Sequence, residues 1–394
     1  MPKLIPLLLL LPSLALGASL QERATELAGS KGMVYVVDAG GRVLLDLRGA
    51  TPNVPASTLK VVTTVMAGEV LGFDSRFRTH FWIEDGFLVV KGEGDPLLVS
   101  EELDPIAIAI KARLPPEAAS GLRGVVIDDS FFDGVIDIPG VGDSLEPYDA
   151  INTATAVNFN TINVRWANGQ YESAEPQTPM TPLALELARQ KGIRGELRFN
   201  LSTRPADVRR YAGELIAAKL SAAGVPVASV VQAGTAPTTP PLYTHENSKT
   251  VADACQAMLK FSNNYIANQI FLAIGARVEG APASLNRSVR VARAWLGERP
   301  DLAGITMLEG SGIAYDNRVT GPAMAAALSR LEPRIDLLRQ KNGTPNKTGT
   351  LTIAKTVVGF LETTRHGRVR FVVLLDGGGS DRRWKIVDLL RDQL

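Results

Sequence analysis

Cysteine is nearly absent. Cys255 stands alone among 394 residues, so no intrachain disulfide can form and stability has to come from a packed core. It lies in the helical pattern "VADACQAMLKF" and reads as a small core residue. Histidine is scarce too. His80, His245 and His366 show no metal-ligand spacing, so neither a metal nor a cofactor is expected. Partners of a histidine triad meet only in the fold, but the G-x-S-x-G elbow is missing from the chain. Charge of one sign is not in excess. With Lys3 of the N-terminal leader set aside, 41 basic residues face 41 acidic ones, which argues against nucleic acid as a partner. A long apolar run is also lacking: beyond the first residues no segment is long and apolar enough to span a bilayer. No repeat of fixed period stands out.

The one apolar run, "MPKLIPLLLLLPSLALGAS", is short, broken by Pro6 and Pro12, and followed by small residues. It reads as a signal peptide over residues 1–18, cut after Gly17 or Ala18, with no nearby cysteine for a lipid anchor. The mature protein is therefore expected to be exported, to the periplasm or cell envelope, and soluble. A chain with 45% hydrophobic and 21% charged residues is ordinary globular material, and its length suits two or three domains.

"GMVYVVDAGGRVLLDLRG" reads as a β-hairpin turning at "DAGG". "VVGFLETTRHGRVRFVVLLDGG" reads as a second hairpin turning at His366–Gly367, and "SDRRWKIVDLLRDQL" as an amphipathic helix capped by Ser380 or Asp381. Strands near both termini predict one sheet assembled from the two ends of the chain, with the middle as an insertion. That middle carries short strands, a helix near "DVRRYAGELIAAKLSAAG", and the proline-rich "QAGTAPTTPPLYTHENSK", which reads as a return linker. Residues 138–147 read as a loop without evident chemistry.

"PNVPASTLKVVTT" places Ser57 and Lys60 three residues apart at the start of an apolar helix, hence on one face. An ammonium held against Val61, Val62, Val65 and Met66 has a depressed pKa and can serve as a base, making Ser57 a nucleophile without histidine. Alone the pair is weak, because S-x-x-K arises roughly once or twice by chance in a chain of this size. Two further segments add weight. "SNN" places Ser262 and Asn264 in a tight turn between two helical patterns. "NKTGTL" puts Lys347, Thr348, Gly349 and Thr350 on an extended, edge-like segment. There Gly349 permits close approach of a substrate backbone, and the lysine and hydroxyls suit a carboxylate.

The order S-x-x-K, S-x-N, K-T-G resembles that of penicillin-recognising serine acyltransferases. Ser57 and Ser262 lie 205 residues apart, too far for a simple β-lactamase. The chain resembles the class C low-molecular-mass penicillin-binding proteins, the D-alanyl-D-alanine carboxypeptidase/endopeptidase family, over nearly all its mature length. "KGEGDPLLV", "GVVIDDSFFDG" and "EGSGIAYDN" look like further family blocks.

The resemblance implies an α/β (α+β) serine DD-peptidase/β-lactamase-like core with two inserted, strand-rich domains. The core would comprise residues 19–76 and 245–394, inserted domain II residues 77–157 and 232–244, and inserted domain III residues 158–231. It implies acyl transfer on peptidoglycan stem peptides ending in D-Ala-D-Ala, with β-lactams as inhibitors. Ser57 would be the nucleophile and Lys60 its base; Ser262 would hand a proton to the leaving amine and Asn264 would orient the acyl-side amide. Lys347, Thr348 and Thr350 would hold the terminal carboxylate, and the backbone N–H groups of Ser57 and Thr350 would form the oxyanion hole. Asp128 would meet the amine of the stem-peptide side chain; Asp129 is equally placed, and both also read as ordinary strand-end acids. Where several members carry an arginine that meets a diaminopimelate carboxylate, this chain has Tyr315, with Arg318 nearby. A β-lactamase or esterase would need a deacylating glutamate. "ELRFN" at Glu196 precedes Ser262 and reads as a strand. A non-catalytic cell-wall-binding module would have no need of Lys60.

Overall fold

The computed structural model describes residues 18–118, 120–378 and 381–394. Residues 1–17 of the expected leader, and Ser380 as a cap, lie outside them. The chain enters through helix α1 (Leu20–Ala28), whose start is closed by a reciprocal Ser19–Glu22 capping box. Strands β1 (Met33–Asp38) and β2 (Val43–Leu47) form the first hairpin, and α2 (Lys60–Val70) follows.

The insertion then begins with β3 (Arg76–Glu84), β4 (Phe87–Gly92), α3 (Ser100–Lys111) and β5 (Gly124–Asp128). It continues with β6 (Thr161–Ala167), β7 (Gln170–Ser173), α4 (Pro182–Lys191), β8 (Glu196–Asn200) and α5 (Pro205–Ala222). It closes with β9 (Val231–Ala233) and β10 (Tyr243–Thr250). The chain returns through α6 (Val251–Phe261), α7 (Asn264–Glu279), α8 (Leu285–Gly297) and α9 (Gly321–Leu331). Strands β11 (Arg339–Lys341), β12 (Thr344–Leu351), β13 (Ala354–Thr363) and β14 (Gly367–Asp376) precede the last helix, α10 (Asp381–Gln393).

As expected, the two chain ends build one sheet, in the order β11-β12-β13-β14-β1-β2, with β1 antiparallel to β14. Its central strands β1, β13 and β14 carry nearly continuous apolar runs because both faces are covered there. Val34, Val36, Phe371 and Val373 pack with Ile386 and Leu390 of α10 on one side. Their neighbours Met33, Tyr35, Val372 and Leu374 pack on the helical side with Val61, Ile270 and Leu328. The alternation within β1 and β14 follows the two-residue period of a strand.

The insertion forms a five-stranded sheet, β10-β3-β4-β5-β9, and a three-stranded one, β7-β6-β8. Three differences from the sequence reading stand out. Helices α3, α4 and α5 make the insertion as helical as it is stranded. Its two sheets share one core, which holds Phe81 and Leu88 together with Ile162, Leu183 and Leu215, and α5 packs on β5 and β9 of the five-stranded sheet. The expected return linker carries β10, which pairs antiparallel with β3, so the boundaries set at 76–77 and 244–245 fall inside strands. "YTHENSKT" hides its strand because its inward residues are polar. His245 meets Glu102 at 2.9 Å, and Asn247 donates to Asp95 at 2.7 Å, all four side chains buried. No helix among the described residues is long and apolar enough to cross a membrane.

Candidate active site

Ser57 sits in a single 3-10 turn, Ala56–Leu59, that runs straight into α2. Ala56, before it, has φ of 49°, a left-handed conformation that is costly for a residue with a Cβ. The turn is held from two sides. Thr356 of β13 donates to Pro55 O at 2.9 Å, and Gly312 lies so close that a Cβ there would stand 2.0 Å from Ala56 O. Strain at Ala56 is thus imposed by surrounding structure, and it presents Ser57 at the head of the helix.

Lys60, one turn later, is fully buried. Its Nζ lies 3.1 Å from Ser57 Oγ, 2.8 Å from Asn264 Oδ1 and 2.7 Å from Ser311 O. Burial pushes its pKa down to about 7, opposed by the charge of Glu309. Val61, Val62, Val65 and Met66 are all buried around it, as the helical pattern requires. Glu309 is itself fully buried and organises the loop that carries Ser311. Its carboxylate accepts from Ser311 N, Gly312 N and Asn317 Nδ2 at 2.6–2.8 Å. That glutamate was inside a quoted sequence block, but nothing in its spacing marked it.

Ser262 ends α6 in the left-handed region, with φ of 56°, and Asn263 caps α7 by accepting from Ile266 N. The sharp turn between the two helices brings Ser262 Oγ within 2.8 Å of Lys347 Nζ. Lys347 is buried, and its pKa lies well below the ordinary lysine range through burial first, then the charges of Lys60 and Arg383. Strand β11 pairs only with Thr344–Asn346, so β12 from Lys347 onward is an open edge. A Cβ on Gly349 would lie 2.8 Å from Ser57 N, so this part of β12 runs against the backbone of Ser57. Thr348 receives a bond from Lys347 Nζ on its carbonyl, and Thr350 is exposed.

Ser57, Ser262, Asn264 and Thr350 open into one cleft of about 940 Å³. The 138–147 loop, read from sequence as free of chemistry, supplies Pro139, Gly140 and Gly142 to its other wall, and Tyr148 and Asp149 just beyond it complete that wall beside Tyr315 and Lys355. Asp149 shapes that wall by accepting from Gly142 N and Ser144 Oγ. Such a wall carries no local pattern, because it is assembled only when the insertion docks.

Asp128 does not join the cleft. It is fully buried at the end of β5, accepting from Ser130 N and Ala236 N at 2.7 Å, with Lys91 at 3.5 Å. Burial raises its pKa, but these bonds and Lys91 outweigh that and leave it lowered. It reads as a structural strand-end acid. Asp129 likewise pairs with Arg209 at 3.2 Å and lines a separate cavity. Tyr315 is about half exposed in the cleft, whereas Arg318 donates to the carbonyls of Tyr315 and Asn317. Glu196 lies on strand β8, where it accepts from Asn163.

Residues 15–340 match the model of the D-Ala-D-Ala carboxypeptidase 3 (S13) family. The chain is similar to a D-alanyl-D-alanine carboxypeptidase of Actinomadura sp. (strain R39), 26% identical over 83% of this chain and 67% of that protein. A second relative is the D-alanyl-D-alanine carboxypeptidase DacB of Haemophilus influenzae, 23% identical over 85% of this chain and 83% of the relative. The fold is that of penicillin binding protein 4 (dacB) from Haemophilus influenzae, with a TM-score of 0.70 at 20% identity. The likeness covers 91% of this chain and 93% of that one.

Proposed function

The chain belongs to the D-Ala-D-Ala carboxypeptidase 3 (S13) family, and on that premise we propose that it hydrolyses stem peptides ending in D-Ala-D-Ala through an ester on Ser57. The observation that carries this reading is the surroundings of Lys60. A neutral amine has two N–H donors and one lone pair. Asn264 Oδ1 and Ser311 O are acceptors for the two donors. The lone pair is left for the hydroxyl proton of Ser57, 3.1 Å away. A pKa of about 7 leaves a large neutral fraction at neutral pH.

Ser57 Oγ attacks the carbonyl carbon of the penultimate D-Ala as its proton passes to Lys60. The oxygen of the tetrahedral intermediate is met by Ser57 N–H and Thr350 N–H. Ser262 delivers a proton to the nitrogen of the departing D-Ala and recovers one through the neighbouring lysines. Lys347, with Thr348 and Thr350, takes the terminal carboxylate, and Asn264 the acyl-side amide. Water then cleaves the ester and restores Ser57. The same steps on a cross-linking bond make an endopeptidase, and a β-lactam stops at the ester. Export to the periplasm or envelope, through residues 1–18, is part of this proposal, as are an insertion of two parts and a cleft wall drawn from it.

Intact-mass spectrometry after incubation with benzylpenicillin tests the reading. One stable adduct, absent in Ser57→Ala, is expected, together with release of D-Ala from pentapeptide. Penicillin consumed without an adduct would replace the reading by a β-lactamase; neither adduct nor consumption would leave a binding module. Tyr315 supports a finer proposal. It offers no fixed charge, and Arg318 is engaged by backbone carbonyls. The preferred stem peptide then carries a side-chain amine without a carboxylate, and equal kcat/KM on lysine-type and diaminopimelate-type pentapeptides would refute this.

A further inference from the structure

Arg383 stands on α10, past residue 340 where the family match ends and outside all three motifs. Along α10 it shares a face with Ile386, Val387 and Leu390, all buried, so an arginine occupies a core-facing position. Its Nη1 donates to Gly349 O at 2.7 Å and to Thr356 O at 3.0 Å, and lies 3.4 Å from Thr350 Oγ1. Its Nε is buried without a partner among the described residues. Leaving a guanidinium N–H unmet is costly, and a residue serving only to staple helix to sheet gains nothing from it.

Gly349 O and Thr350 N–H belong to one peptide unit. A planar trans peptide turns them in opposite directions. With Gly349 O gripped on the side of β13 and α10, Thr350 N–H is directed out of the open edge of β12. Ser57 lies beside that stretch of β12: a Cβ on Gly349 would stand 2.8 Å from Ser57 N, and Thr350 lines the same cleft as Ser57. A cation bonded to the carbonyl also draws electron density along the amide and strengthens its N–H as a donor. Arginine suits the task because its Nη1 reaches both carbonyls and its guanidinium stays charged when buried.

We infer that Arg383 is a positioning residue that orients and polarises the Gly349–Thr350 peptide, so that Thr350 N–H acts as the second donor of the oxyanion hole. The inference rests on the acyl-enzyme reading above and adds to it a residue outside the motifs. Because Arg383 touches no reacting atom, its effect is read through the carbonyl that the hole grips.

Benzylpenicillin acylation rates are to be compared in the full chain, Arg383→Met and Arg383→Lys, with isotope-edited infrared spectra of each ester. Losing one such donor altogether costs roughly 10²–10³-fold, so a weakened and misaligned one is expected to slow Arg383→Met by about 10–100-fold. Its ester carbonyl band is expected to move to higher wavenumber, and Arg383→Lys to recover part of both effects. A lower melting temperature follows from any loss of packing and decides nothing; the band position decides. Wild-type acylation and an unshifted band in Arg383→Met would overturn the inference. Should that variant not fold, Arg383→Lys carries the test, since a lysine Nζ ends one bond short of where Nη1 bonds both carbonyls: slowed acylation with a shifted band supports it, and wild-type values overturn it. If the unaltered chain takes no penicillin on Ser57, the acyl-enzyme reading fails first, visibly by mass, and the inference falls with it.

Discussion

An ammonium cannot accept a proton, so the base proposed in Lys60 exists only in molecules where burial has removed one. With its pKa held at about 7, the neutral fraction falls about tenfold for each pH unit below that point. We expect kcat/KM on a D-Ala-D-Ala peptide, and the penicillin acylation rate with it, to fall along the same limb. Glu309 opposes the depression, so Glu309→Gln should move the limb to lower pH, alongside a loss of stability from the loop it organises. A limb centred near the ordinary lysine value would show that Lys60 is not the base. Lys347 should behave differently, because the carboxylate anchor proposed there has to stay charged. Its pKa is also lowered, so KM should rise as pH climbs through it while acylation by a neutral ester is spared.

At the scale of elements, the site is a meeting of one turn, one inter-helix corner and one strand edge. Each had a local sequence cause and was therefore readable: Pro55 before an apolar helix, two asparagines between helical patterns, a glycine on an edge strand. The residues that escaped notice had no such cause. Asp149 and Tyr148 come from an irregular loop that becomes a wall only against the 309–317 loop, and Arg383 acts through a carbonyl on a strand 30 or so residues earlier. Asp128 shows the opposite limit, since a strand-end acid looks alike in sequence whether it faces a cleft or its own turn. Gly349 is where the edge is least tolerant. A Cβ there would meet Thr356 Oγ1 at 2.3 Å and Ser57 N at 2.8 Å, and the Thr356 hydroxyl is already committed to Pro55 O. Gly349→Ala should therefore displace β12 from Ser57 and slow acylation by about 10²–10³-fold, the cost of a lost oxyanion donor. Circular dichroism should show a folded chain. Acylation at the wild-type rate would mean that the edge is not in contact with the nucleophile.

For the whole molecule, the central sheet was legible because β1, β13 and β14 carry apolar runs, whereas the core that the insertion's two sheets share had no local signal. Burial, not chain order, decides which pieces belong together. Leu215 of α5 lies in one core with Phe81 and Leu88 of the first part and with Ile162 and Leu183 of the second, while the wall around Lys60 belongs to a separate core. Polar strands such as β10 and the docked loop 138–149 then join the insertion to the catalytic side without any apolar signature. A lesion at Leu215 should accordingly loosen both parts of the insertion together. Leu215→Ala is expected to cost about 2–5 kcal/mol, seen as an earlier unfolding transition in calorimetry. Two distant, unshared sites keep their effects separate to within a few tenths of a kcal/mol. The rate of penicillin acylation should therefore stay within about twofold of wild type below that transition. A large drop in acylation in the still-folded variant would instead mean that the insertion's core sets the cleft geometry. The wall at Tyr148 and Asp149 would then move with α5, and the two cores would act as one mechanical unit.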